Sequence, residues 1–134
     1  MNKILLLIAV IISLTGCGTM IKVPIDSKPL SEDKATLIIY HEQGFPDEFK
    51  TFMDRQPIGF VTSEKPLKLA VEPGKHDLYV EVGGPVIDRI TTQTFEKNKT
   101  YFMKIWFEAG VWVSSIRIDP ANEISSYQVR SHRQ

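Results

Sequence analysis

Residues 54–82, with the sequence DRQPIGFVTSEKPLKLAVEPGKHDLYVEV, decide the fold class because apolar and polar side chains alternate along them. Within 76–82, every second residue is aliphatic, namely Leu78, Val80 and Val82. Successive side chains of an extended chain point to opposite faces, so this alternation makes one face apolar and the other polar. The period of two predicts β-strands joined by tight turns.

The same pattern continues through the rest of 35–134. Runs of β-branched and aromatic residues are separated by turn signals such as EPGK at 72–75, and no stretch keeps a period of 3.6. ATLIIYH at 35–41 is apolar on both faces, which predicts a central strand. We therefore predict an all-β domain, a single antiparallel β-sandwich of about seven to nine short strands, in preference to a small barrel. The predicted strands are 35–41, 49–54, 57–62, 67–72, 76–82, 86–95, 100–107, 111–118 and 123–129, with a hairpin across Arg55 and Gln56.

Residues 2–17, NKILLLIAVIISLTGC, are typical of an export signal. Lys3 precedes an apolar run over 4–12, which is shorter than the roughly 20 residues that a membrane-spanning helix needs. LTGC at 14–17 resembles the lipobox of bacterial lipoproteins. That resemblance implies cleavage before Cys17, a thioether-linked diacylglycerol on its sulfur and an acyl group on the new amino terminus. The alternative is an uncleaved anchor or a buried helix with an incidental cysteine.

The segment 18–34 that follows the cysteine is predicted to be a flexible tether. It contains Pro24 and Pro29 and shows neither alternation nor a helical period. Fully extended, such a tether spans no more than roughly 60 Å. The competing interpretation makes 20–25 an edge strand that tolerates a proline.

These observations divide the chain into a signal peptide at 1–16, a lipidated Cys17 with its tether at 17–34, and a β-sandwich domain at 35–134. Gly18 follows the cysteine, where an aspartate favours retention in the inner membrane of enteric bacteria. By the same resemblance, its absence implies a bacterial cell-envelope location on the outer membrane, facing the periplasm.

The arrangement within 54–82 also resembles a known module. A short hairpin with Ile58 and Gly59 is followed by Leu-x-Leu-x-Val at 67–71 and by PGKH at 73–76. This order resembles the PEGA-type β-sandwich module, and the chain as a whole is similar to an uncharacterised family of small bacterial lipoproteins. The hairpin turn lacks the glycine often found there. The resemblance implies a sandwich and is nearly silent on function.

Composition and motifs exclude several functions. The chain has 16 basic and 16 acidic side chains, and loss of Lys3 with the signal leaves 15 and 16, so no basic face is predicted for nucleic acid. Cys17 is the only cysteine, which rules out an intramolecular disulfide. His41, His76 and His132 are not at metal-ligand spacing, and no hydrolase, zincin or nucleotide-binding motif occurs. We expect no catalytic residue, no metal and no cofactor apart from the lipid.

The most aromatic stretch is FMKIWFEAGVWV at 102–113. On a strand, Phe102 and Trp106 share one face, and Trp112 follows a predicted hairpin tip. One interpretation is that these aromatic side chains fill the second layer of the core, because a domain of about 100 residues needs such filling. The other is that they form an exposed patch that contacts a partner protein, a glycan or a lipid surface. Phe102, Trp106 and Trp112 are therefore the candidate partner-contact residues.

Together these features predict a non-enzymatic, lipid-anchored envelope lipoprotein that acts as an interaction or scaffolding module. Its expected partners are the membrane, through the lipid, and another envelope protein. The alternative from another class is a carbohydrate- or peptidoglycan-binding protein, in which Trp106 and Trp112 stack against sugar rings.

Overall fold

The computed structural model describes residues 19–42, 48–81, 90–108 and 115–130. All regular structure in this part of the chain is β-strand, which confirms the all-β class. Over the same residues, no helix has the length and the apolar character needed to cross a membrane. The strands are β1 (Met20–Pro24), β2 (Ala35–His41), β3 (Glu48–Met53), β4 (Gln56–Thr62), β5 (Leu67–Val71), β6 (Gly74–Glu81), β7 (Thr91–Phe95), β8 (Thr100–Glu108), β9 (Ser115–Ala121) and β10 (Ser126–Arg130).

Eight of these strands form two four-stranded sheets. We call the sheet with the order β5-β2-β8-β9 the central sheet and the sheet with the order β4-β3-β6-β7 the outer sheet. The pairs are antiparallel except for β2 and β8, which run parallel. This departs from the purely antiparallel expectation, because the chain between β2 and β8 passes through the outer sheet twice, forming β5 of the central sheet in between, and enters β8 from the end at which β2 begins.

The main core lies between the two sheets. Strand β2 is buried along its whole length, which confirms its prediction as a central strand. Its residues Leu37 and Ile39 pair with Tyr101 and Met103 of β8, so these side chains point together into the core. The fully buried members also include Phe49 and Val61, Leu78 and Phe95, and Ile105 and Ile118.

The two strands β1 and β10 form a ribbon that covers the other face of the central sheet as a third layer. The segment 20–24 was expected to belong to a linker, and that expectation does not hold there; the competing edge-strand interpretation describes it. The physical reason is an apolar alternation in which Ile21, Val23 and Ile25 present one face to the second core. The other members of this second core are Ile38, Tyr40, Phe102, Tyr127 and Val129.

The direction of β1 follows from three contacts. The Thr100 hydroxyl donates to the Ser27 carbonyl, and Lys68, the partner of Ile38 across the sheet, pairs with Asp26 at 3.2 Å. The ring of Tyr127, which lies opposite Val23, is centred 5.5 Å from that of Tyr40. From residue 27 back to residue 23, the contacts therefore move along β2 from its beginning towards its end.

Strand β1 consequently runs antiparallel to β2, and Met20 lies at the end of the domain where β2 and β8 finish. We call this the upper end. The lower end is where β2 and β8 begin, at Ala35 and Thr100.

The hairpin of β3 and β4 is confirmed, with its turn one residue earlier than predicted. Asp54 and Arg55 have φ values of 49° and 68°, as in the two-residue turns that match the twist of a hairpin. In β4, Gly59 has a φ of 148°, and a Cβ there would lie 2.9 Å from Leu67 Cδ1. Glycine at this position therefore lets β4 approach the beginning of β5 closely.

Candidate functional site

The structure separates the aromatic residues that the sequence placed together. Phe102 is only 6% exposed and packs in the second core, beneath the β1–β10 ribbon. Phe102 therefore fills a core layer and does not offer its ring to a partner. Trp106 lies on the same face of β8, near the upper end and beyond the second core, and is half-buried. Cys17 and Trp112 lie outside the described residues.

Polar neighbours hold Trp106 in place. Its indole Nε1 donates to Asp119 Oδ2 at 2.8 Å, and the guanidinium carbon of Arg117 lies 5.4 Å from the ring centroid. Arg117 is also the cross-strand partner of Trp106, so strand register brings the two side chains together. We call Trp106, Arg117 and Asp119 the Trp106 cluster. The hydrogen bond from the indole N–H and the cation over the ring hold the Trp106 side chain in a fixed orientation. Only part of its surface is then available for contact with a partner.

Beside the cluster, Lys104 Nζ contacts Glu42 Oε2 at 2.6 Å. Lys104 shares the outward face of β8 with Trp106, as the alternation predicts. The ion pair links β8 to the residue that follows β2, its neighbouring strand. The outward surface of the central sheet at the upper end is thus aromatic at its centre, with charges of both signs around it.

A second group of side chains lies around His76 in the outer sheet. His76 Nδ1 contacts Asp54 Oδ2 at 2.5 Å, and His76 Nε2 lies 2.9 Å from the carbonyl oxygen of Glu72. The other Asp54 oxygen accepts the backbone N–H of Asp77 at 2.9 Å. The hydrogen bond that His76 donates to Asp54 holds the pKa of His76 above its ordinary 6.5. The same bond, with the one that the Asp77 N–H donates, lowers the pKa of Asp54 below 3.8.

These contacts define what His76 can do. Both ring nitrogens face acceptors, so both can donate when the ring is protonated, and this arrangement favours the imidazolium form. A general base needs a free nitrogen lone pair aimed at a substrate, and His76 has none to offer. The group is therefore a clasp that ties the β3–β4 turn to the β5–β6 turn, and we call it the His76 clasp.

The clasp should make stability depend on pH. Asp54→Asn keeps an oxygen for the Asp77 N–H and a residue type that tolerates positive φ, but it removes the charge that His76 needs. Because the folded pKa of His76 is raised, its stabilisation is complete below 6.5 and is lost as pH rises through the folded value. We expect the wild type to exceed the variant in unfolding free energy by about 0.5–1 kcal/mol near pH 5.5, a difference that shrinks by about pH 9.

Urea unfolding across this pH range measures the difference. Glu96→Gln is the matched control, because it also removes a carboxylate from a surface ion pair, here with Lys99, but one that contains no histidine. A wild-type advantage over Asp54→Asn that stays constant with pH would contradict the clasp.

The other described histidine belongs to the core. His41 is 1% exposed, its Nδ1 lies 3.1 Å from the Ile105 carbonyl, and its ring meets Phe49 edge-on at 4.6 Å. His132 lies outside the described residues. Among the residues that the structure describes, no group of three or more His, Cys, Asp or Glu side chains is placed to hold a metal ion.

At the lower end, a partly open cavity of about 460 Å³ adjoins the beginning of β8, the end of β9 and the middle of β7. Its lining combines Gln93 of β7 with the first residues of β8 and the chain that leaves β9. Its lining residues are neutral apart from Glu123. The cavity is therefore suited to small polar molecules such as water, with no arrangement of reactive groups.

Comparisons with protein-family models, with curated proteins and with solved structures find no match to this chain. The functional argument therefore depends on the geometry described above and on the sequence motifs. The lipobox and PEGA-type resemblances stay predictions.

Proposed function

We propose that this chain is a non-enzymatic lipoprotein of the bacterial envelope, anchored by lipid on Cys17, whose β domain is an interaction or scaffolding module. The placement of β1 is the observation that supports this most strongly. β1 begins at Met20, three residues after Cys17, and packs into the domain as its third layer. Three residues span about 10 Å at most, so a lipid on Cys17 would hold the upper end of the domain next to a bilayer.

Such an anchor needs no affinity from the domain itself. Each buried methylene contributes about 0.8 kcal/mol, and two acyl chains already make membrane attachment durable. A compact domain held so close to the surface acts on what lies beside that surface, and another envelope protein is the partner we propose. The residue after the cysteine, Gly18, favours the outer membrane and its periplasmic face.

The engagement of His76, Lys104 and Glu42 in contacts within the fold supports a non-enzymatic role. His76 uses both ring nitrogens inside the clasp, and Lys104 and Glu42 neutralise each other. These groups stabilise the fold, and none of them faces the lower cavity.

A glycan-binding role remains the second candidate, and the Trp106 cluster is the observation that favours it. An aromatic ring flanked by a carboxylate and a guanidinium can combine stacking with hydrogen bonds to sugar hydroxyls. Arg117 already lies over the indole, which limits the surface left for stacking. A peptidoglycan pull-down tests this role. It is favoured if the wild type and Phe60→Ala are retained on peptidoglycan and Trp106→Ala is not.

The proposal is tested by Cys17→Ser in the full precursor, expressed in bacterial cells fed a labelled fatty acid. We expect the wild type to carry label and to sediment with membranes after an alkaline wash. The variant should lose the label and the membrane association, because serine offers no thiol for the thioether. Ser13→Ala, which changes the leader but keeps the cysteine, is the control and should behave as the wild type. Label and membrane association that persist in Cys17→Ser would overturn the proposal.

A further inference from the structure

We infer that the upper end of the domain lies against the bilayer that holds the lipid, with Phe107 and Met20 in the headgroup region and Trp106 beside them. This inference rests on the proposed function, because it needs the lipid on Cys17. It goes further in naming the surface of the domain that contacts the membrane and the nature of that contact.

The length of chain between the lipid site and the fold carries the first step. Only Gly18 and Thr19 separate Cys17 from β1, and the beginning of β1 lies at the upper end. Strand β8 has nine residues, so the lower end is about 30 Å further away. A linker over 18–34 would allow any face to approach the membrane, whereas a docked β1 allows only the upper end to do so.

The exposed side chains at this end carry the second step. Met20 is 49% exposed at the start of β1, and Phe107 is 45% exposed near the end of β8. Phe107 is on the face of β8 that points into the main core, two residues beyond the fully buried Ile105, and is nevertheless almost half exposed. Exposed large apolar side chains on a soluble domain mark contacts, and a bilayer is the apolar surface that the short chain brings to them.

Trp106 adds a side chain suited to the membrane interface. Its indole N–H is hydrogen-bonded to Asp119 on the protein side, and Arg117 lies over the ring. Tryptophan concentrates at the headgroup level of bilayers because its ring is apolar and its edge is polar. Arginine next to it keeps its charge in the headgroup layer while its stem covers apolar surface.

The charges at the upper end decide which kind of membrane contact this is. Among the described residues, the cations there include Lys104, Arg117 and Arg130, together with Lys50, which lies opposite Glu81, and Lys65, in the turn that contains Glu64. Acidic side chains among the described residues at the same end balance them; these are Glu42, Glu48, Glu64, Glu81 and Asp119. A contact through anionic lipids needs an excess of cations, so the geometry favours an apolar contact that is insensitive to lipid charge and to salt.

The experiment uses the mature, lipidated protein in phosphatidylcholine vesicles. The chain has two tryptophans, so Trp112→Phe leaves Trp106 as the only one. A fraction of the lipid carries a nitroxide on its headgroup, which quenches nearby indoles. We expect Trp106 fluorescence to be quenched at least about twofold more than that of a reporter at the lower end, made by Lys97→Trp with both native tryptophans changed to phenylalanine. Equal quenching at the two ends would overturn the inference.

A matched pair of substitutions tests the apolar contact itself. Phe107→Ser should reduce the quenching of Trp106 by about half, because it removes the side chain that enters the headgroup region. Leu30→Ser is the control, because Leu30 is comparably exposed and lies at the lower end, where its N–H donates to Thr36 near the start of β2. It should leave the quenching unchanged. The quenching should also persist with anionic lipid and at high salt. A strong dependence on anionic lipid, or an equal effect of the two substitutions, would contradict an apolar contact.

Flotation of the same vesicles separates this inference from the proposed function. Protein that floats with the vesicles but shows no preferential quenching of Trp106 overturns the inference and leaves the lipid anchor intact. Protein that does not float overturns the anchor and therefore both proposals.

Discussion

Phe102→Ala is expected to lower the free energy of unfolding by about 3–5 kcal/mol, the range for truncating a buried phenylalanine. Phe102 is 6% exposed and lies between the central sheet and the β1–β10 ribbon. Its removal leaves a cavity that Ile38 and the tyrosines of the second core cannot fill without moving two layers relative to each other. Equilibrium unfolding in urea measures the loss.

Two other substitutions provide the comparison. Tyr127→Phe keeps the ring and removes a buried hydroxyl that has no hydrogen-bond partner among the described residues, so it should cost little or nothing. Burial raises the pKa of that hydroxyl to about 12, so it is neutral at ordinary pH. Trp106→Ala removes a half-buried ring and should cost about 1–2 kcal/mol. A cost for Phe102→Ala below that for Trp106→Ala would mean that the third layer is not packed as described.

Val23→Asp is expected to release β1 from the domain and to lower the unfolding free energy by about 2–4 kcal/mol. Val23 is 6% exposed, and a carboxylate there would be buried without a cation to pair with it. If β1 leaves the domain, the carboxylate returns to water and its burial cost is avoided. Residues 20–34 should then become accessible to protease while the main core stays folded.

Lys22→Asp is the matched control for this substitution. Lys22 is exposed in the same strand and pairs with Gln128, so a carboxylate there stays in water. It should change the unfolding free energy by no more than about 0.5 kcal/mol. Equal proteolysis of the two variants would contradict the docking of β1.

The sequence was sufficient for the fold class and for most strands because alternation is a local signal. Leu78 and Val80 are buried as predicted, and Ile105 and Lys104 lie on opposite faces of β8. Tyr79 differs: it alternates with Leu78 and Val80 and so falls on the polar face, yet it is only 7% exposed, because its ring stacks on that of Phe52 from the neighbouring strand at 4.8 Å. Alternation shows which face a residue takes and cannot show what covers that face.

The β1–β10 ribbon could not be predicted either, because alternation is a local signal. The alternation of Ile21, Val23 and Ile25 is short and is interrupted by Pro24, so it predicts a linker as readily as a strand. Its partner β10 lies about a hundred residues away, and nothing local records their pairing. Proline is tolerated because a two-stranded ribbon leaves half of its backbone groups unpaired.

The Trp106 cluster and the His76 clasp depend on strand register, which cannot be deduced from the local sequence pattern. Arg117 meets Trp106 because β8 and β9 pair in one particular register, and a shift by one residue would turn Arg117 to the other face. Asp54 reaches His76 only because β6 pairs with β3 beside its turn. The signal that was available is Asp54 itself, a residue type suited to positive φ at a hairpin turn.

The account depends on β1 being part of the domain, and hydrogen exchange of the mature protein measures this directly. The informative amides are those of β1 and of Ile25, whose N–H donates to the Ser125 carbonyl at 2.8 Å. We expect the hydrogen-bonded amides over residues 20–25 to exchange at least about a hundredfold more slowly than an unstructured chain, and at rates close to those of β10. Exchange of this segment at the rate of an unstructured chain, while β10 stays protected, would contradict the account.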